Sequence, residues 1–63
     1  MEKQISLGKT IRTVRHGAGL TQVEFGKRVG VSGYLISNLE TGKRSPSFHL
    51  ARRLNSEFRI DPF

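Results

Sequence analysis

Three residues, Gly30–Ser32, separate two short segments whose apolar residues recur at helical spacing. The segment before this turn opens at Thr21, and Glu24 follows three residues later, which is the pattern of a capping box. The segment after the turn begins at Ser32, the last residue of the turn, which is a good N-cap. This segment carries Ile36 and Leu39 on one side. The sequence therefore predicts two short helices that meet at a tight bend.

Two further segments have helical spacing. In the first, apolar residues are four, three and four positions apart before two glycines end the helix: Leu7, Ile11, Val14 and Ala18. In the second, a helix is expected from about Ser47, with Phe48, Ala51, Leu54 or Asn55, and Phe58 at helical spacing. The final stretch, Ile60–Phe63, has the form of a fifth helix start, with Asp61 as the N-cap and Pro62 in the first helical position.

Because no strand or hairpin pattern occurs, the fold class expected is all-α: a compact bundle of four to five short helices that contains a helix-turn-helix. A chain of 63 residues has room for one domain, so we expect a single unit over residues 1–63, with the fifth helix either truncated at its start or vestigial.

The amino-acid composition favours some classes of function and argues against others. The 11 Lys and Arg outnumber the 5 Asp and Glu, which gives a formal net charge of +6 and favours a polyanionic partner. There is no cysteine, and His16 and His49 lie far apart, so no metal site is expected. No set of residues for catalysis or cofactor binding is recognisable, which argues against an enzyme. The sequence has no signal peptide or membrane-spanning run, so a cytoplasmic, nucleoid-associated protein is expected.

The sequence resembles the Cro/repressor-type (XRE-family) helix-turn-helix domains over about residues 7–60. Three stretches carry the resemblance: Leu20–Gly26, the turn Gly30–Ser32, and Ile36–Pro46. The resemblance implies a lambda-repressor-like bundle of short helices that binds double-stranded operator DNA as a homodimer, without catalysis or a cofactor.

The helix after the turn is the one expected to read bases, because a major groove about 12 Å wide admits a single α-helix. Asn38 suits adenine, and the ring of Tyr34 suits a thymine methyl. The family usually has a polar reader where this chain has Gly33, which implies a looser sequence preference or a close approach of backbone to DNA. Leu35 also departs from the family, and packing, a thymine methyl contact or a protein interface would each explain it. The expected base-reading residues are Ser32, Gly33, Tyr34, Ser37 and Asn38.

Other residues are expected to position the domain on the DNA backbone. The cations that follow the reading helix and neutral hydroxyls nearby suit phosphate, and the resemblance adds a glutamine at the start of the preceding helix. The expected phosphate contacts are Thr21, Gln22, Lys43, Arg44 and Ser45. The resemblance also implies a partly buried ion pair between Arg15 and Glu40.

Two further expectations concern packing. Gly26 stands where the family has a small alanine between the two helices of the motif, so Gly26→Ala is expected to be tolerated or stabilising. The family dimerises near the C-terminal end of the domain, here around Phe58, Ile60 and Phe63, which are equally explained as local core.

Three functions remain open at this point. The first is a transcriptional repressor, and the second is the antitoxin of a toxin–antitoxin pair, which would bind DNA and also a toxin protein. The third is a basic module on an anionic membrane, which the short, glycine-punctuated helices argue against. Co-purification with a toxin separates the first two.

Overall fold

The computed structural model describes residues 6–61, which form four helices and no strand. They are α1 (Leu7–Gly17), α2 (Gln22–Val29), α3 (Gly33–Glu40) and α4 (Phe48–Phe58). The all-α prediction is confirmed, and the three-residue turn joins α2 to α3 as expected. Residues 59–61 are not helical, and Pro62 and Phe63, on which the expected fifth helix depends, lie outside the described residues.

Local hydrogen bonds set where each helix begins. Every helix is preceded by a hydroxyl residue in extended conformation, whose side chain accepts a hydrogen bond from the backbone N–H three residues later: Ser6, Thr21, Ser32 and Ser47. At α2 the capping box is complete, because the Glu24 carboxylate also accepts from the Thr21 N–H at 2.8 Å. These caps explain why the starts of α2 and α3 were predictable from short-range sequence.

The core lies where the helices meet. Phe25 and Phe58 stack with ring centroids 4.3 Å apart, which joins α2 to α4. The Arg53 guanidinium, also on α4, donates to the Arg28 carbonyl near the end of α2 at 3.3 Å. The buried apolar residues are Ile11, Phe25, Val29, Ile36, Leu39, Leu50, Ala51, Leu54 and Ile60.

Two packing expectations need correction, and one open alternative is narrowed. Ala18 is exposed because it caps the end of α1 and lies beyond the buried stripe. On α4, Phe48 is 70% exposed, and Leu50 faces the core in its place. For Phe58 and Ile60, expected either at a dimer interface or in the local core, the structure favours local packing, because Ile60 is buried and the partly buried Phe58 stacks on Phe25.

Two helix crossings are closer than a side chain allows. A Cβ atom on Gly26 would lie 2.5 Å from the Val31 carbonyl oxygen, because the turn passes directly over α2 at this residue. A Cβ on Gly8 would collide with the backbone carbonyls of Leu39 and Glu40 at the end of α3. The expectation that Gly26→Ala is tolerated or stabilising is therefore wrong, since the obstacle is backbone and not a flexible side chain.

We expect Gly26→Ala to lower the free energy of unfolding by about 1–3 kcal/mol, the usual cost of overpacking. Gly17→Ala is the matched control, because Gly17 is helical and no atom outside its own turn lies within 4 Å of an added Cβ. This control should be neutral or stabilising by up to about 1 kcal/mol. Urea unfolding of both variants checks the difference, and equal effects would contradict the close crossing.

Candidate nucleic-acid interface

The two sides of α3 have different environments. Ile36 and Leu39 are almost fully buried and hold the helix against the core. On the outer side, Tyr34 is 77% exposed, and Ser37 and Asn38 are partly exposed. The helix is thus anchored from behind while its polar side remains accessible.

The outer side chains of α3 are also free to bond. Within residues 6–61, no hydrogen bond occupies the Tyr34 hydroxyl, the Ser37 hydroxyl or the Asn38 amide. The Ser32 hydroxyl is different, because it accepts from the Leu35 N–H at 3.1 Å and keeps its proton and one lone pair for another partner. Three of the five expected base readers therefore carry unused polar groups on one helix side.

Gly33 has a packing explanation. A Cβ on this residue would lie 2.8 Å from Cγ2 of Val23 and 3.0 Å from the Val23 backbone nitrogen. The glycine therefore lets the start of α3 lie against α2, so a close approach of its backbone to DNA is not needed to explain it. Leu35 packs against the core cluster, which favours the first of its three explanations.

The loop after α3 is tied to the helix. The backbone N–H groups of Lys43 and Arg44 donate to the Asn38 carbonyl at 2.9 and 3.2 Å. Gly42 adopts the left-handed conformation, with φ of 80°, and its N–H bonds the Leu39 carbonyl, so the chain turns back in a Schellman motif. The two cationic side chains thus project from a backbone in fixed register with α3. Ser45 follows them and is exposed.

Glu40 joins three helices at one point. Its side chain is fully buried, and Arg15 on α1 contacts both carboxylate oxygens, with Nε 2.6 Å from Oε2 and Nη2 3.1 Å from Oε1. Gln22, the first residue of α2, donates its Nε2 to Oε1 at 3.1 Å. Arg12 makes a longer contact of 3.5 Å, and its side chain is 53% exposed. The carboxylate is therefore neutralised and hydrogen-bonded where it is desolvated.

This network changes the interpretation of two residues. Gln22, expected at a phosphate, uses one amide proton on Glu40 and keeps the second for another acceptor. Arg12, a cation whose place in the sequence left a phosphate contact undecided, lies beside the same carboxylate with its terminal nitrogens in no hydrogen bond within the described residues. Its charge alone gave no signal, because its contact depends on how α1 packs against α3. Thr21 is exposed and serves as the cap of α2.

Electrostatics follow from these contacts. Burial alone would raise the pKa of Glu40, but hydrogen bonds from Arg15 and Gln22, together with the Arg15 charge, outweigh it and hold the pKa below its ordinary value of 4.5. The same hydrogen bond raises the pKa of Arg15. At Glu24 the backbone hydrogen bond from Thr21 is the main cause of a lowered pKa. Within residues 6–61 there is no group of three or more residues that could hold a metal ion.

Two short helices joined by a tight turn, with the second anchored on one side and open on the other, define a helix-turn-helix domain. The chain belongs to the helix-turn-helix domain family, whose model matches residues 6–56. The resemblance to Cro/repressor-type domains is thereby confirmed.

A protein of Methanothermobacter thermautotrophicus, named an uncharacterized HTH-type transcriptional regulator, is 50% identical over 44 residues. The alignment covers 70% of this chain and 64% of that protein, so the chain spans less than two thirds of its relative's length. No solved structure matches the chain. None of the described helices is long and apolar enough to cross a membrane.

Arg15→Met would leave the buried Glu40 carboxylate without its main partner, and we expect a loss of about 3 kcal/mol in the free energy of unfolding. That is a large share of the roughly 3–9 kcal/mol typical of a domain this size. Arg12→Met is the matched control and should cost at most about 1 kcal/mol, because that side chain is half exposed. Urea unfolding at neutral pH measures both, and similar losses would show that Arg15 is not the principal partner.

Acid should destabilise the domain through Glu40. Because its pKa is lower folded than unfolded, the unfolded chain takes up the proton first, and stability falls as the pH drops below 4.5 through the folded pKa. Glu40→Gln should be less stable at neutral pH and lose less on acidification from about pH 7 to about pH 3. Glu24 leaves a residual slope in both proteins. Unfolding curves across this range test the prediction, which parallel pH profiles would contradict.

Proposed function

We propose that this chain is the sequence-specific double-stranded DNA-binding domain of a transcriptional regulator, and that it acts as a repressor by occupying operator DNA. The single observation that carries the proposal is the outer side of α3, where Tyr34, Ser37 and Asn38 have unused polar groups while Ile36 and Leu39 are buried behind them. Family membership and the name of the relative support the same function. Residues 1–63 form one such unit in this proposal, located in the cytoplasm at the nucleoid.

The proposed contacts divide into two classes. Asn38 and Ser37 form hydrogen bonds to base edges, and the ring of Tyr34 meets a thymine methyl. Lys43 and Arg44 contact phosphates beside the groove that α3 occupies, since their backbone is in register with that helix. Ser45, Thr21 and the second amide proton of Gln22 add neutral phosphate contacts. Ser32 contributes its hydroxyl proton at the start of α3.

A single domain touches few base pairs, so the proposal includes a homodimer on half-sites about 34 Å apart. Ile60 is buried and Phe58 stacks on Phe25 within one chain, so both have a packing role that requires no partner. Selection of bound sequences from random DNA at fixed salt tests both points. A palindromic consensus supports paired binding, and the absence of any consensus would contradict sequence-specific recognition.

Asn38→Ala should relax base preference at one position and cost about 1–3 kcal/mol on the preferred sequence. The backbone carbonyl that holds the loop is retained in this variant, so the effect reports the side chain. Lys43→Ala should instead weaken binding to all sequences alike and reduce the slope of log affinity against log salt by about one.

Arg52→Ala is the charge-matched control for Lys43→Ala, because it removes a cation from α4 and not from the loop after α3. Its salt slope should stay close to that of the parent. Fluorescence anisotropy with one preferred and one scrambled duplex, over a series of salt concentrations, measures all three variants. Identical behaviour of Asn38→Ala and Lys43→Ala would contradict the division between base-reading and phosphate contacts.

A further inference from the structure

Val23 is an apolar side chain placed at the start of the reading helix. It is the second residue of α2, and it is 56% exposed although it belongs to the helix that covers α3. Its Cγ2 lies 2.8 Å from the point where a Cβ on Gly33 would be. The exposed methyl groups of Val23 therefore lie beside the first residue of α3.

The Val23 side chain can lie beside the start of α3 because Gly33 has no side chain. A larger residue at 33 would collide with Val23, so the Val23 methyl occupies the space from which a side chain at the start of α3 would otherwise project. In helix-turn-helix complexes, the N-terminal residues of the reading helix are those that contact base edges. Tyr34, next along the helix, is the most exposed large apolar residue of the described chain, so two apolar groups lie at this end.

We propose that Val23 is a further base-reading residue, which recognises a thymine through contact between its methyl groups and the C5 methyl of the base. The inference rests on the proposed DNA binding and assigns specificity to α2 as well as α3. The chemistry fits, because the thymine methyl is the one apolar feature in the major groove and aliphatic side chains recognise it by contact.

The test replaces thymines of the selected duplex by uracil, one at a time, which removes only the C5 methyl. For the parent chain, the thymine that Val23 contacts should lose about four-fold in affinity, the effect of burying one methyl-sized group. This thymine is distinct from the one that the Tyr34 ring meets. Val23→Ala should bind the thymine and uracil duplexes equally, whereas Val23→Ile should keep the four-fold ratio. Because the readout is a ratio of two affinities for one protein preparation, a change in the folded fraction cancels.

Two variants serve as controls. Tyr34→Ala should keep the thymine dependence at this position, and Lys27→Ala, one turn along α2, should leave the ratio unchanged. The proposal is overturned if no thymine is sensitive, if Val23→Ala retains the ratio, or if Tyr34→Ala abolishes it instead. Failure to bind any duplex would overturn the proposed function itself, whereas a sequence preference without methyl dependence at Val23 would overturn only this inference.

Discussion

The Glu40 carboxylate is the contact on which the placement of α3 depends. It is buried at the C-terminal end of α3, where Arg15 from α1 and Gln22 from α2 bind it together. Arg15 also donates to the Leu20 carbonyl at 3.1 Å, so the same guanidinium holds the connection between α1 and α2. Nine apolar residues are buried within the described range 6–61. In so small a core, hydrophobic burial alone specifies orientation weakly, and this network fixes how three helices meet.

Close backbone contacts at three glycines, together with the Glu40 network, determine where α3 lies. Gly8 allows α1 to approach the end of α3, while Gly26 and Gly33 allow α2 and the turn to approach its beginning. α3 is therefore held at both ends by contacts that leave no room for a side chain, and at one end by a buried ion pair. A helix fixed in this way presents its outer residues in a set geometry, which preorganises a binding surface and reduces the entropy lost on association.

Sequence predicted well what short-range chemistry determines. Thr21 with Glu24, and Ser32 before Leu35, act within one turn, so the helix starts and the tight turn followed from residue order. Tertiary packing was harder to predict from the sequence. Phe48 and Leu50 are two residues apart in α4, and which of them is buried depends on how α4 packs against the shared core. The cost of a Cβ at Gly26 depends on the path of the following turn. Whether Gln22 reaches Glu40 with a hydrogen bond depends on how α2 crosses α3.

The composition of the outer surface of α3 sets a limit on what one copy can distinguish. Of the three free side chains on α3, the Asn38 amide is the one that can form a bidentate pair with a base, worth about 1–3 kcal/mol of discrimination. The Ser37 hydroxyl and the Tyr34 ring add less, so one copy reaches at most the lower part of the roughly 4–10 kcal/mol that separates specific from non-specific binding in typical regulators. The net charge of +6 supplies affinity without preference. Two copies on one site would double the base discrimination that the outer residues of α3 supply, because discrimination adds over separate base pairs. An apolar contact from α2 raises this discrimination within each copy, since it reads a second thymine methyl besides the one that the Tyr34 ring meets.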